Sequence, residues 1–219
     1  VFDHDESHAL WIFSGAAGLS LVVGSALLAI RRRSIGGHSI WSHPHFSSAT
    51  LTQFFYVAAQ SGIFAYFINY MTSQAPVAIT NQTASTLASV GFILFLAGRF
   101  TGAWLLKKFP AHRILGLYGV LNVAICALVM LKLGWVSVVA VFLSYFFMSI
   151  MFPTIFALGI YGLGSRAKQA SSYIVMAIMG GAIVPKVMGH VADTSSVSIS
   201  FIVPLICFLA VAAYGYGWS

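Results

Sequence analysis

Long apolar stretches alternate with short polar ones along nearly the whole chain. Seven of the apolar stretches are long enough to cross a bilayer, and they lie near residues 9–30, 50–72, 85–106, 113–131, 135–162, 170–191 and 199–218. A membrane-crossing helix needs about 20 residues, and in lipid a single helix satisfies its own backbone hydrogen bonds. The pattern therefore predicts an all-α polytopic membrane protein with seven transmembrane helices, numbered here as spans one to seven.

The composition leads to the same class of protein. The chain has 219 residues, of which 59% are hydrophobic and only 7% are charged. Soluble domains carry about 25% charged residues, so this chain has too few to cover a surface in water. Cys126 and Cys207 fall within apolar stretches, where cysteine behaves as a small hydrophobic residue.

Basic and acidic residues separate to opposite ends of the spans. If the segment after span one is cytoplasmic, alternation puts nine of the eleven basic residues inside and all four acidic residues outside. Cytoplasmic loops of membrane proteins are enriched in Lys and Arg. We therefore expect a multi-pass protein of the cell's inner membrane, with its N-terminus outside and its C-terminus cytoplasmic. The nine cations are Arg31, Arg32, Arg33, Arg99, Lys107, Lys108, Arg113, Arg166 and Lys168.

The longest stretch without a span is RRRSIGGHSIWSHPHFSSAT, from Arg31 to Thr50. Its polar, Gly- and Ser-containing composition is typical of a loop. We expect residues 31–49 to be a cytoplasmic linker between two helix bundles. Residues 1–30 would then be the last helix of an N-terminal bundle absent from this sequence, and residues 50–219 a six-helix C-terminal bundle.

The turn between spans three and four contains GRFTGAWLLKKFPAHRIL, with two glycines four residues apart and four cations. Glycines at that spacing share a helix face and allow another helix to approach closely. One interpretation is a packing face with positive-inside anchoring. The other is a gate, in which the cations lock and release a partner bundle during transport. The gate candidates are Gly98, Arg99, Gly102, Lys107, Lys108 and Arg113, together with Pro153 of span five.

Span two, which contains FFYVAAQSGIFAYFINY, has an amide near its middle at Gln60. An amide in mid-membrane either bonds a neighbouring helix or faces a wet cavity. An amide beside aromatic rings suits a sugar, whose hydroxyls need donors and acceptors while its C–H faces stack on rings. Phe64 lies on the same side, whereas Asn69 is nine residues from Gln60 and would share that side only if the helix were broken.

Span five contains MFPTIFALGIYGLG, in which Pro153 removes a backbone hydrogen bond. Proline is common in membrane helices, but interrupted helices are also where transporters place binding sites and hinges. Phe152 and Thr154 flank the expected kink and could reach a cavity.

Acid–base and metal chemistry find little support. No Asp or Glu falls within the predicted spans, although a proton-coupled carrier needs a titratable group in the membrane. His38, His43 and His45 lie in the linker without a nearby carboxylate or cysteine, which is weak support for a metal site. We therefore expect no metal, no cofactor and no enzymatic activity.

Four strings, in this order and spacing, resemble the C-terminal half of the fucose:proton symporters of the major facilitator superfamily. They are FFYVAAQSGIFAYFINY, GRFTGAWLLKKFPAHRILGLYG, FMSIMFPTIFALGIYGLG and SSYIVMAIMGGAIVPKVMGHVAD. The resemblance implies that spans one to seven are helices six to twelve of that fold. It implies a carrier for a monosaccharide and a proton, working by alternating access with an N-terminal six-helix half that holds the protonated acids.

The resemblance also assigns roles to residues. It places the family's cavity-facing glutamine at Gln60 and its tenth-helix motif at Phe152–Phe156. Asn69 stands where the fucose carriers have an arginine, so glucose or galactose is also a possible substrate. The substrate-binding candidates are Gln60, Tyr56, Phe64, Asn69, Phe152 and Thr154.

Span six ends in GGAIVPKVMGHVAD, where Lys186 replaces the proline or aliphatic residue of similar carriers. A lysine about one turn from the outer surface can extend its amine to water. Asp193 lies seven residues further along the same face and could pair with it. We expect an interfacial lysine at the outer gate rather than a direct ligand of the substrate.

Two alternatives to a proton-coupled sugar symporter stay open. One is a facilitator or antiporter for another small solute. The other is a non-transporting membrane protein, either an intramembrane enzyme that uses the linker histidines or a scaffold.

Overall fold

The computed structural model describes residues 43–217. Helices make up nearly all of this part of the chain, with three single turns of 3-10 helix between them. The α-helices are α1 (Pro44–Gln74), α2 (Asn81–Leu105), α3 (Ala111–Met130), α4 (Trp135–Met148), α5 (Met151–Ile160), α6 (Ala167–Met176), α7 (Gly180–Thr194) and α8 (Ile202–Tyr216).

These helices form six membrane-length rods. Six helical stretches are long and apolar enough to cross a membrane: Pro44–Gln74, Asn81–Leu105, Ala111–Met130, Trp135–Ile160, Gly164–Thr194 and Ile199–Tyr216. They correspond to spans two to seven, with α4 and α5 forming span five and α6 and α7 forming span six. Predicted span one, the linker up to residue 42 and His38 lie outside the described residues.

The start of span two differs from the prediction. Helix α1 begins at Pro44, so residues 44–49, which were predicted as linker, are helical. Proline is favoured in the first turn because its fixed φ suits a helix and its missing N–H would have no partner there. Phe46 and Ala49 are fully buried in this turn. The turn is therefore part of the packed bundle, and the predicted boundary at residue 50 is too late.

Helix α1 lies at the centre of the bundle. It packs against α5, α7 and α8, while α3 packs along α8 and α2 along α4. Its buried face carries Tyr56, Ile63, Phe67 and Tyr70, all at most 1% exposed. Such large side chains contribute about 1.5–3 kcal/mol each when fully buried in a soluble core. In lipid, their close packing rather than exclusion of water joins the helices.

Spans three and six are the least covered helices of the bundle. Only 17% of the apolar window of span three and 28% of that of span six are buried, compared with 50–56% for the other four. On α2 the uncovered side chains are large and apolar, including Phe92, Ile93 and Phe100. These two spans therefore present broad free flanks within residues 43–217.

Candidate substrate surface and kinked helix

Gln60 and Phe64 form a partly exposed amide–aromatic pair on α1. They are one helical turn apart, and both are intermediate in exposure. The Phe64 ring lies 4.7 Å from that of Tyr145, 5.1 Å from Phe92 and 6.0 Å from Phe95, between centroids. No group within residues 43–217 hydrogen-bonds the Gln60 amide. In this structure the amide is therefore not used to hold a neighbouring helix.

Phe152 joins α1 to the kinked span five. Its ring centroid lies 6.3 Å from that of Tyr56, in an edge-to-face arrangement. Phe152 is partly exposed, whereas Tyr56 is fully buried and donates its hydroxyl to the Met148 carbonyl at 2.8 Å. Of this pair, only Phe152 reaches the surface, with Tyr56 supporting it from behind.

Thr154 is also turned inward. It is 3% exposed, and its hydroxyl donates to the Ile150 carbonyl at 2.7 Å. A direct contact of Thr154 or Tyr56 with a solute would require a rearrangement of span five. Their substrate-binding role stays a prediction, and the geometry favours support of Phe152.

Asn69 lies away from Gln60. Helix α1 is continuous from Pro44 to Gln74, so nine residues turn Asn69 about half a revolution from Gln60. Asn69 is exposed, near the end of α1 opposite the linker. The sequence condition for a shared surface, a broken helix, is not met.

Span five is interrupted at Ser149 and Ile150, between α4 and α5, and we call these two residues the span-five break. Pro153 has no N–H to donate to the carbonyl of Ser149 four residues earlier. The structure thus confirms that span five is discontinuous, and it places the interruption one turn before the proline. At its C-terminal end α5 stops at Ile160, followed by Gly162 with φ +74° and Gly164 with φ +52°.

Three of the gate candidates on α2 lie against this break. A Cβ on Gly98 would contact the Phe146 carbonyl oxygen and lie 2.6 Å from the Ser149 hydroxyl, and one on Gly102 would lie 2.8 Å from the Ile150 Cβ. The Arg99 Nε donates to the Ser149 carbonyl at 3.3 Å. The two glycines thus serve as the close-packing face that their spacing predicts.

The remaining cations form a separate group in the turn between α2 and α3. Lys107, Lys108 and Arg113 are all exposed there. The Lys108 ammonium nitrogen lies 4.0 Å from the centre of the Trp104 ring, in a cation–π contact. The sequence grouped these cations with Arg99, and the structure divides the gate candidates into a break group and a loop group.

The glycines of GGAIVPKVMGHVAD pack α7 onto α1. A Cβ on Gly180 would lie 2.5 Å from the Phe54 carbonyl oxygen, and one on Gly181 would lie 2.5 Å from the Ser61 hydroxyl. Lys186 is exposed, and α7 continues to Thr194, roughly 12 Å further at 1.5 Å per residue. Asp193 is exposed in the last turn, and its pairing with Lys186 stays a prediction.

The described linker histidines lie at the start of α1. The His43 and His45 rings are 5.6 Å apart, and the His45 Nε2 is 3.2 Å from the Tyr161 carbonyl oxygen. Within residues 43–217, no three His, Cys, Asp or Glu side chains come together as metal ligands. His45 therefore connects the start of span two to Tyr161, the residue directly after α5.

Comparison with known proteins places this geometry in context. The chain is 39% identical over 168 residues to the L-fucose-proton symporter of Escherichia coli, covering 76% of this chain and 38% of the symporter. It is 28% identical over 177 residues to a glucose/galactose transporter of Brucella abortus, covering 81% of this chain and 43% of that one. A crystal structure of a major facilitator superfamily transporter, FucP, in the outward conformation matches with a TM-score of 0.79 and 35% identity, covering 84% of this chain and 45% of that one.

The resemblance to the fucose:proton symporters is confirmed. It holds in sequence and in fold, over about four fifths of this chain, although no family model matches it. The chain spans less than half the length of these relatives of the major facilitator superfamily. All of them carry the names of transporters rather than of enzymes.

Proposed function

We propose that this chain is the C-terminal bundle of a proton-coupled monosaccharide symporter, of the fucose, glucose or galactose type, that works by alternating access. The observation that carries the proposal is the Gln60 amide, which no described residue uses, beside the aromatic group around Phe64. Amides bind sugar hydroxyls and rings stack on sugar C–H faces, the mixture expected of a small-molecule site. The names of the relatives support the same substrate class.

The proton site belongs to a second six-helix bundle in this proposal. Asp193 is the only carboxylate within residues 43–217, and it lies in the last turn of α7 rather than at mid-membrane. Proton coupling requires a titratable group along the pathway. Two observations favour a second bundle: the relatives are more than twice as long as the matched part, and spans three and six have uncovered flanks.

The proposed roles follow from where the side chains lie. Gln60, Phe64 and Phe152 form the substrate surface, with Tyr56 and Thr154 behind it. Asn69 lies on the opposite side of α1, outside this surface. Lys107, Lys108 and Arg113 gate the cytoplasmic mouth, and Lys186 with Asp193 belongs to the outer gate. The orientation has the chain's N-terminus outside and its C-terminus in the cytoplasm of the cell, in the inner membrane.

Uptake of fucose, glucose and galactose into proteoliposomes with an imposed inward proton gradient tests this function. The chain is assayed alone and with the N-terminal half of the Escherichia coli relative, each with Gln60→Ala and, as a matched control on the opposite side of α1, Asn69→Ala. We expect no uptake by the chain alone, and Gln60-dependent uptake of one hexose by the pair.

Three other outcomes would contradict specific parts of the proposal. Uptake by the chain alone would remove the need for a second bundle. Uptake at the same rate with and without the proton gradient would indicate a facilitator. Equal loss in Gln60→Ala and Asn69→Ala would mean that the substrate surface is not on the Gln60 side of α1.

A further inference from the structure

Arg99 has a different surrounding from the other gate candidates. It lies six residues before the end of α2 rather than in the loop. Its Nε donates to the Ser149 carbonyl at 3.3 Å, and its guanidinium carbon lies 5.4 Å from the centre of the Phe95 ring. Both contacts hold it against span five and its own helix, not against the cytoplasmic mouth.

The Ser149 carbonyl is the acceptor that Pro153 leaves without a helical donor. Three neighbouring carbonyls, those of Phe146, Met148 and Ile150, each receive a side-chain donor. The Phe146 carbonyl accepts from the Ser149 hydroxyl at 2.7 Å, and Met148 from Tyr56 at 2.8 Å. The Ile150 carbonyl accepts from the Thr154 hydroxyl and backbone N–H. Arg99 supplies the donor for the Ser149 carbonyl. This agrees with the general rule that buried backbone groups are rarely left without a hydrogen bond.

We propose that Arg99 is a positioning residue: through the Ser149 carbonyl it holds the span-five break in place and so sets the position of Phe152. Together with Tyr56, it anchors two consecutive carbonyls of span five to two different helices. Its importance lies in the donor at Nε rather than in its charge. That Phe152 faces a sugar rests on the proposed function, whereas the hold on the backbone does not.

Three substitutions separate donor from charge. Arg99→Gln keeps an N–H donor at the same number of bonds from the backbone as Nε but removes the charge. Arg99→Lys keeps the charge and moves the donor one atom further out. Arg99→Met reaches the position of Nε with an apolar chain and has neither the donor nor the charge. If Arg99 acts through its positive charge at the cytoplasmic mouth, Arg99→Lys should behave like the parent. If it acts through Nε, Arg99→Gln should behave like the parent.

The measurement is the maleimide labelling rate of a Phe152→Cys variant of the full chain in detergent, since the two native cysteines, Cys126 and Cys207, are buried. Losing a typical hydrogen bond shifts a local opening equilibrium by about fivefold. We expect Arg99→Met to raise the labelling rate by about that factor and Arg99→Gln to stay within about twofold of the parent. Phe100→Met, an exposed neighbour that does not contact the break, is the control. The proposal would be overturned if Arg99→Gln raised the labelling rate as much as Arg99→Met while Arg99→Lys kept the rate of the parent.

Pro153→Ala provides an independent test, because its restored N–H can donate to the Ser149 carbonyl. In that background Arg99→Met should change the labelling rate by less than about twofold, since the carbonyl no longer depends on Nε. Equal effects of Arg99→Met in the two backgrounds would show that Arg99 acts elsewhere. If Pro153→Ala fails to fold, the comparison of Arg99→Gln, Arg99→Lys and Arg99→Met still tests the proposal.

The labelling needs no substrate, so it fails separately from the proposed function. If the labelling pattern is as expected but the chain paired with the N-terminal half takes up no hexose, only the proposed sugar transport is contradicted. If hexose is taken up but the labelling rate is the same for every residue at position 99, only the proposed role of Arg99 is contradicted.

Discussion

Gly98 shows how a single hydrogen atom in place of a side chain lets two helices meet. Alanine is favoured over glycine in a helix by about 1 kcal/mol. A Cβ here would press on the Phe146 backbone oxygen, which cannot move aside as a side chain tip would, and overpacking costs about 1–3 kcal/mol. The steric cost therefore exceeds the gain in propensity.

We expect Gly98→Ala to lower the unfolding temperature in detergent by about 2–4 °C for each kcal/mol lost. Thr101→Ala, at an exposed position of the same helix, should change it little. A higher unfolding temperature for Gly98→Ala than for the parent would show that α2 and the break are not in close contact.

Gln53 is a buried amide at the residue scale. It is fully buried, and neither of its amide atoms has a hydrogen-bonding partner within residues 43–217. An unsatisfied buried polar group costs about 1–3 kcal/mol, and an apolar side chain of similar shape avoids that cost.

Gln53→Met should therefore raise the free energy of unfolding by about 1 kcal/mol. Gln60→Met is the matched control: its amide is also unpaired within the described residues but partly exposed, so stability should stay nearly constant. A loss of stability in Gln53→Met would mean that a water molecule or a solute pairs with the amide.

The sequence could identify some of these residues and not others. Gln60 and Pro153 stand out because an amide or a proline in mid-membrane always requires an explanation. Gln53 gives no comparable signal, since sequence position does not show that both of its amide atoms are enclosed. The binding of substrate by Tyr56 and Thr154 stays a prediction. In the structure their hydroxyls donate to the Met148 and Ile150 carbonyls.

At the scale of elements, the contact of α7 with α1 depends on which face of α7 carries glycines. Gly180 and Gly181 lie against α1, whereas Ala182 and Lys186 are exposed. A larger side chain at Gly180 or Gly181 must push α7 away from α1. A larger side chain at exposed Ala182 does not press on α1.

Gly180→Leu should therefore destabilise the protein strongly, through a side chain forced against the Phe54 backbone. Ala182→Leu adds bulk two residues away and should stay within about 0.5 kcal/mol of the parent. Thermal unfolding followed by size-exclusion chromatography in detergent compares the two. Similar losses in both variants would contradict this assignment of faces.

Element boundaries were predicted best where local chemistry fixes them. Span five is discontinuous because of Pro153, and its C-terminal end follows from glycines at positive φ. The first turn of α1 was missed because its residues are polar and look like loop. Pro44 starts a helix there, and burial of Phe46 against the end of span five and the start of span six stabilises it.

At the scale of the whole molecule, the proposed orientation makes a prediction for each side of the membrane. Val77 lies between α1 and α2, on the side proposed as external, and Ser165 lies between α5 and α6, on the side proposed as cytoplasmic. Both are exposed, so cysteines there are open to reagents.

A membrane-impermeant maleimide should label Val77→Cys but not Ser165→Cys in intact cells. Inside-out vesicles should give the reverse. Labelling of Ser165→Cys alone in intact cells would invert the topology and with it the proposed assignment of inner and outer gates.

By itself the sequence determined the helical membrane class, the apolar spans within the described region, the discontinuity of span five and the similarity to sugar symporters. The first three depend on the hydrophobicity, charge or proline content of a local segment, and the similarity depends on the order of residues in four strings. Packing alters none of these. Only the tertiary structure decided that Arg99 reaches the Ser149 carbonyl, 50 residues away, and that Tyr56 reaches Met148, 92 residues away. Such contacts depend on how each helix is rotated and how closely its neighbours approach, and the periodicity of a single helix specifies neither.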